Sequence, residues 1–356
     1  MKGRWKSLLV ILLVIGLAGC AGTRAKDQVT FGMVVKWTTV PYNVAFIEAA
    51  KAKATELGVQ LIIKDSQGDA LKAIEIMDTF ITMKVDGVIY GGSFDEKLVI
   101  PGIKKLNAAR IPIVAMDASP EGGKVDLFIS SDIEASSRKA TEAFIEGIKK
   151  RNNGMVPQGV VILVMGSATQ MFGQACNRGF FSVMSQYPQV MVDSGEGKWN
   201  NNDAHDVVRD KLTRHGKNVL GIYVHTPDIM GAGAVSAIEA AGLDPKAYGL
   251  AGYAMGPEGL YLIRQGKFYA IANQTAYDAS YQNTQYLYNI VKGKPIPKVG
   301  DVLTEEGAIW SPARVIKNPF AEEGAWIVHQ SPIVPLEVGA DDERLWENKL
   351  KHMWKK

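Results

Sequence analysis

Cysteine is nearly absent: Cys20 and Cys176 are the only two in 356 residues. No disulfide framework is available, so stability has to come from packing. Five histidines (His205, His215, His225, His329, His352) include no pair at metal-ligand spacing, and the sequence shows no partners for a thiol site at Cys176. The nucleophile elbow G-x-S-x-G is missing, because Gly166-Ser167-Ala168-Thr169 lacks its second glycine. A dinucleotide turn is missing too. After the first β-branched run the chain reads Lys36-Trp37-Thr38-Thr39-Val40-Pro41, with no glycine to let the backbone approach a pyrophosphate. Gly231 and Gly233 come nearest, but they fall inside a helical pattern, where small residues serve close packing. No enzyme activity, cofactor or metal is therefore expected. The net charge is also small, at +3. Without Lys2, Arg4 and Lys6 the chain carries 37 residues of each sign, which makes a poor nucleic-acid binder.

What is present describes an ordinary globular chain: 47% hydrophobic and 22% charged residues, 36 glycines and 15 prolines. It is long enough for two packed cores. Lys2, Arg4 and Lys6 precede an apolar run of eleven residues, 8–18, little more than half the roughly 20 that a membrane helix needs. The pattern predicts a signal peptide over 1–19. Leu17-Ala18-Gly19-Cys20 is similar to the bacterial lipobox, which implies lipidation of Cys20 and an extracytoplasmic, membrane-anchored address. Residues 20–28 are small and polar, as a tether should be.

From residue 29 onward, short β-branched runs alternate with helical patterns. Residues 29–35, 61–64, 87–90, 111–116 and 127–131 predict strands, and 42–57, 70–83, 97–109 and 135–150 predict helices. A second series follows the Gly/Pro-containing break at 152–159. Its strands are 160–165, 190–192, 221–224, 250–253 and 269–272, with helices near 173–186, 204–215, 229–241 and 257–265. This is the signature of βαβ units and parallel sheets. The fold class expected is α/β, as two doubly wound Rossmann-like lobes. A helix over 279–291 and loosely patterned segments to about residue 335 add no sheet of their own. The last stretch, 341–356, has Leu345, Trp346, Leu350 and Trp354 at helical spacing and predicts a surface helix packed on its own protein.

Several local strings occur in a telling order: Val34-Val35 then Pro41-Tyr42; Asp65-Ser66-Gln67; Asp86-Gly87-Val88-Ile89; and Ile111-Pro112-Ile113-Val114 running into Asp117. They continue with Ser131-Asp132, Gly179-Phe180, Ala251-Gly252-Tyr253, and Gly266-Lys267 before a strand ending at Gln274. Together with the export signal they resemble the type I periplasmic sugar-binding family, the ribose-binding-like receptors that feed ATP-driven importers. The resemblance implies a monomer whose two lobes are joined by three hinge crossings, near 131–134, 274–276 and about 305. It assigns 29–132 plus 275–305 to an N-terminal lobe, 133–274 plus 306–335 to a C-terminal lobe, and 336–356 to an extension. It implies a sugar-like ligand and a membrane permease as partner. A chemoreceptor or sensor kinase reading the same cleft is the alternative.

Independently of any family, parallel sheets place ligands outside the carboxyl ends of their strands. The residues there are Lys36, Trp37, Asp117, Trp199, Asn200, Thr226 and Gln274, with Tyr42 in the first helical turn. Trp37, Tyr42 and Trp199 suit stacking on sugar C–H faces. Lys36, Asp117, Asn200, Thr226 and Gln274 suit hydroxyl recognition. Each has a structural alternative: Asp117 as a turn cap, Lys36 as its ion-pair partner, Tyr42 as core, Trp199 as a loop anchor. His225 reads as a satisfied strand-end histidine. The family's usual arginines are missing, since Ala118 and Cys176 stand in their places, while Thr226 and Ala254 replace its Asn and Asp. Lys36 with Asp117 looks instead like the branch that binds rhamnose or autoinducer-2.

Overall fold

The computed structural model describes residues 28–354 apart from Ser93 and Asp95. The expected signal segment, Cys20 and all but the last tether residue lie outside the described residues. The chain opens with β1 (Thr30–Val35), α1 (Pro41–Leu57), β2 (Gln60–Asp65), α2 (Ala70–Thr82) and β3 (Gly87–Gly91). It continues with α3 (Ile100–Ala108), β4 (Ile113–Met116) and β5 (Lys124–Ser131). The second lobe runs α4 (Ile133–Arg151), β6 (Gly159–Met165), α5 (Met171–Met184), β7 (Val190–Glu196) and α6 (Asn201–His215). It is completed by β8 (Val219–Val224), α7 (Pro227–Ala240), β9 (Leu250–Tyr253), α8 (Gly256–Arg264) and β10 (Phe268–Ala272). Then follow α9 (Ala276–Val291), β11 (Val302–Leu303), β12 (Ala313–Lys317), β13 (Glu323–His329) and β14 (Ile333–Val334). Two single-turn helices, α10 (Trp346–Lys349) and α11 (Lys351–Trp354), close the described chain.

The period-two geometry of a strand sends alternate side chains to opposite faces, and here both faces are covered. Phe31, Met33 and Val35 of β1 pack with α1 and α9, while Val34 packs with α2 and α3. In the second lobe Ile162 and Val164 of β6 meet α6 and α7, whereas Val161 and Leu163 meet α4 and α5. Strands buried on both sides lose any polar alternation, hence their continuous apolar sequences. The sheet orders are β11-β12-β13-β5-β4-β3-β1-β2 and β14-β10-β9-β8-β6-β7. Close helix packing is what Gly233 serves, since a Cβ there would lie 2.0 Å from the Asn201 carbonyl oxygen.

Three expectations need correction. Residues 306–335 do not belong to the C-terminal lobe as a block. β13 runs parallel to β5, with Ala325 opposite Leu127 and His329 opposite Ser131, and β12 pairs antiparallel with β13. Only β14 joins the second sheet, antiparallel to β10. Without β13, β5 would be an edge strand with a row of unpaired backbone groups. The third crossing is therefore at 330–332, not near 305; the other two fall where expected, after β5 and after β10. The C-terminal stretch is also not a surface helix. Trp346 is 1% exposed and Leu345 fully buried, and the segment forms a strap over the hinge rather than an appendage.

Candidate functional site

The carboxyl ends of the strands of both sheets face one another across a cavity of about 120 Å³. Lys36 and Trp37 follow β1, Asp117 follows β4, and Thr226 follows β8. Trp199 comes from the turn after β7, Gln274 from the second crossing, and Tyr42 from the first turn of α1. Seven of the eight residues expected from the sequence thus line one cavity. Asn200 is the exception. It is the N-cap of α6, its Oδ1 accepting from the Asp203 N–H at 2.9 Å while its Nδ2 donates to the Asp203 carboxylate at 2.5 Å.

Each aromatic is held by a local device. Trp37 lies over Gly68, where a Cβ would approach the indole to 3.1 Å, and the Lys36 ammonium sits 4.4 Å from the Trp37 ring centroid. Trp199 covers Gly166, where a Cβ would fall 1.9 Å from the ring. Its indole N–H donates to Gln170 Oε1 at 2.8 Å, and its edge meets Phe172 at 5.5 Å. Asp117, Trp199 and Ala254 all adopt left-handed backbone, with φ of +67°, +57° and +67°, a conformation that concentrates at functional sites.

The electrostatics are those of a partly dehydrated chamber. Burial lowers the Lys36 ammonium pKa, opposed by the carboxylates of Asp117 and Glu96. Burial raises the Tyr42 hydroxyl pKa well above its usual value, and the Asp117 carboxylate that it bonds to raises it further. Asn43 Nδ2 and Thr226 Oγ1 are buried at the cavity with no hydrogen-bond partner in the protein. An unpaired buried polar group costs about 1–3 kcal/mol. His225 lies outside the lining. Its Nδ1 accepts from the Gly166 N–H at 3.3 Å, and burial pushes its pKa down to about 3, so it is neutral. Burial likewise raises the Cys176 thiol pKa well above its usual value, which removes it from nucleophilic chemistry.

The sequence reading missed Asn43, Gln170, Phe172, Asp228 and Trp346, all of which line the cavity. The first four had a signal. The turn that follows each strand end faces the same crevice as the strand end itself. Trp346 had none, because its place is fixed by the course of the strap. Asp228 is strongly perturbed: burial pushes its pKa up to about 7, although its Oδ1 accepts from the Glu258 N–H at 3.1 Å. No group of three or more His, Cys, Asp or Glu among the described residues is arranged to hold a metal ion. No helix there is long and apolar enough to cross a membrane.

Residues 31–295 match the family model of the periplasmic binding protein domain. The chain belongs to that family. Among curated periplasmic binding proteins, the ribose import binding protein of Bacillus subtilis is 25% identical over 273 residues, spanning 77% of this chain and 85% of that one. Among solved structures, a solute-binding protein of an ABC transporter from Actinobacillus succinogenes, with bound D-allose, has a TM-score of 0.67 at 20% identity. That alignment covers 76% of this chain and 94% of the other. A galactofuranose-binding protein gives a TM-score of 0.70 at 18% identity, covering 91% of this chain and 99% of the other. The periplasmic binding protein fold of type I therefore holds over both lobes.

Proposed function

We propose that the protein is the substrate-binding lipoprotein of an ATP-driven importer. It takes one small, neutral, hydroxyl-rich sugar between its lobes and presents the closed form to a membrane permease. The observation that carries this reading is the shared cavity: flat rings from both lobes stand beside a carboxylate, an ammonium and an amide. Stacking surfaces recognise sugar C–H faces, and Asp117, Lys36, Thr226 and Gln274 meet hydroxyls. The orphaned Asn43 Nδ2 and Thr226 Oγ1 gain partners when the guest enters. No chemical step is needed: binding shifts an open–closed equilibrium, and the permease reads the closed state. Import is favoured over sensing because the ribose relative is an import protein and the allose-bound one belongs to an ABC transporter. Lipidation at Cys20 would hold the protein at the outer face of a membrane.

The test is a thermal-shift panel on protein unfolded and refolded to strip carried-over ligand. The panel contains D-ribose, D-allose, L-arabinose, L-rhamnose and autoinducer-2. At about 100 times its dissociation constant a true ligand adds about 2.7 kcal/mol of stability. A flat response to every member overturns the reading.

A further inference from the structure

Trp346 enters the cavity from a segment that no lobe supplies. Its ring meets Tyr42 of the N-terminal lobe edge-on at 6.3 Å, and its indole N–H donates to the Gln274 carbonyl in the hinge at 2.9 Å. From behind, Trp354 meets it edge-on at 5.6 Å. The strap that carries it is tied to every moving part. Lys349 pairs with Asp278 of α9 at 3.1 Å, and Arg264 of α8 pairs with Asp341 at 2.8 Å. Glu347 Oε1 accepts from the Gly256 N–H at 3.1 Å and from the hinge amide of Asn273 at 2.7 Å. A ring so braced cannot swing aside when a guest arrives.

On the outer side of the same turn lies a second, larger hollow of about 730 Å³, lined by Pro41, Asp228, Glu258 and Glu347 among others. Asp228 lines both spaces. Trp346 faces the inner one and its neighbour Glu347 the outer one. The partition between a chamber of about 120 Å³ and a groove several times larger is thus one turn of the strap, set between the start of α1 at Pro41 and Tyr42, the start of α8 at Gly256 and Pro257, and Asp228.

We infer that Trp346 is the size-determining residue of this site. It ends the chamber after a single sugar ring and excludes disaccharides and bulky glycosides. The inference rests on the proposed sugar-binding function and adds to it the length of the ligand and the residue that sets it.

Calorimetric titration of refolded wild-type protein, Trp346→Ala and Trp346→Phe tests this, with D-ribose, D-allose and L-arabinose against maltose, melibiose and sucrose. Wild-type protein is expected to bind a monosaccharide and none of the disaccharides. Trp346→Ala should lose about tenfold in monosaccharide affinity, the worth of one stacked aromatic contact, and should gain measurable binding of a disaccharide. Trp346→Phe keeps the wall and loses only the bond to Gln274, so it should weaken monosaccharide binding about fivefold and still reject disaccharides. If circular dichroism shows Trp346→Ala unfolded, Trp346→Leu takes its place with the same expectation. The inference is overturned if the folded small-residue variant still rejects every disaccharide. It is also overturned if the wild-type protein already binds a disaccharide as tightly as a monosaccharide. Failure of the wild-type protein to bind any monosaccharide strikes instead at the functional reading beneath it.

Discussion

Asp117 follows β4 in left-handed backbone, at φ +67°, a conformation that Asp and Asn tolerate better than other side chains bearing a Cβ. Its carboxylate bonds to the Tyr42 hydroxyl and faces the Lys36 ammonium, so it belongs to a polar trio. Asn200 is the contrasting case: beside Trp199 in sequence, it is committed to the end of α6. The two positions should respond in opposite ways. Asp117→Ala is expected to cost about 1–3 kcal/mol of ligand affinity with little change in unfolding free energy. Asn200→Ala is expected to leave affinity unchanged and to lower stability by about 1 kcal/mol, the usual loss of a cap. Titration and urea denaturation of both variants check the pair. An Asn200 variant with weakened affinity and intact stability would return that residue to the site.

The first turns of helices matter as much as the strand ends they follow. Asp228 lies in the first turn of α7, where the helix dipole favours negative charge, yet burial outweighs the dipole and pushes its carboxyl up to about 7. Gly256 at the start of α8 makes this crowding possible: its φ is +77°, and a Cβ there would lie 2.1 Å from the Asp228 carboxyl carbon. Burial raises the Glu347 carboxyl as well, and the neighbouring Asp228 charge adds to the effect. A carboxyl whose folded pKa is raised binds more protons folded than unfolded between the two values. Its contribution to stability is therefore present at low pH and is lost as pH climbs from about 4 towards about 7. Asp228→Asn, which keeps the acceptor for the Glu258 N–H, should thus gain stability relative to wild type across that window and no further above it. Denaturation midpoints of both proteins at several pH values test the sign, and a pH-independent difference would mean that Asp228 titrates normally. The strap itself illustrates what local patterning hides. Leu345, Trp346, Leu350 and Trp354 have helical spacing, but the helix breaks at Leu350 so that Trp346 and Trp354 can meet at 88°.

At the scale of the molecule, three crossings and one strap join two sheets whose strand ends point at a common chamber. Hinge closure about a guest changes overall dimensions, so the radius of gyration of stripped protein should fall when a saturating monosaccharide identified by the thermal panel is added. Superimposable small-angle scattering profiles in the two states would refute closure. Periodicity along the chain sufficed for the alternation of strands and helices and both Rossmann-like lobes, and the strand ends it located led to seven of the cavity residues. Those features depend on which face of a nearby element each side chain joins, and that information is local. The partner of β13, the third crossing and the entry of Trp346 were decided only by tertiary structure. A short strand such as 323–329 fits the edge of either sheet by its own pattern. Its choice follows from which edge, β5, would otherwise expose unpaired backbone nearly two hundred residues away.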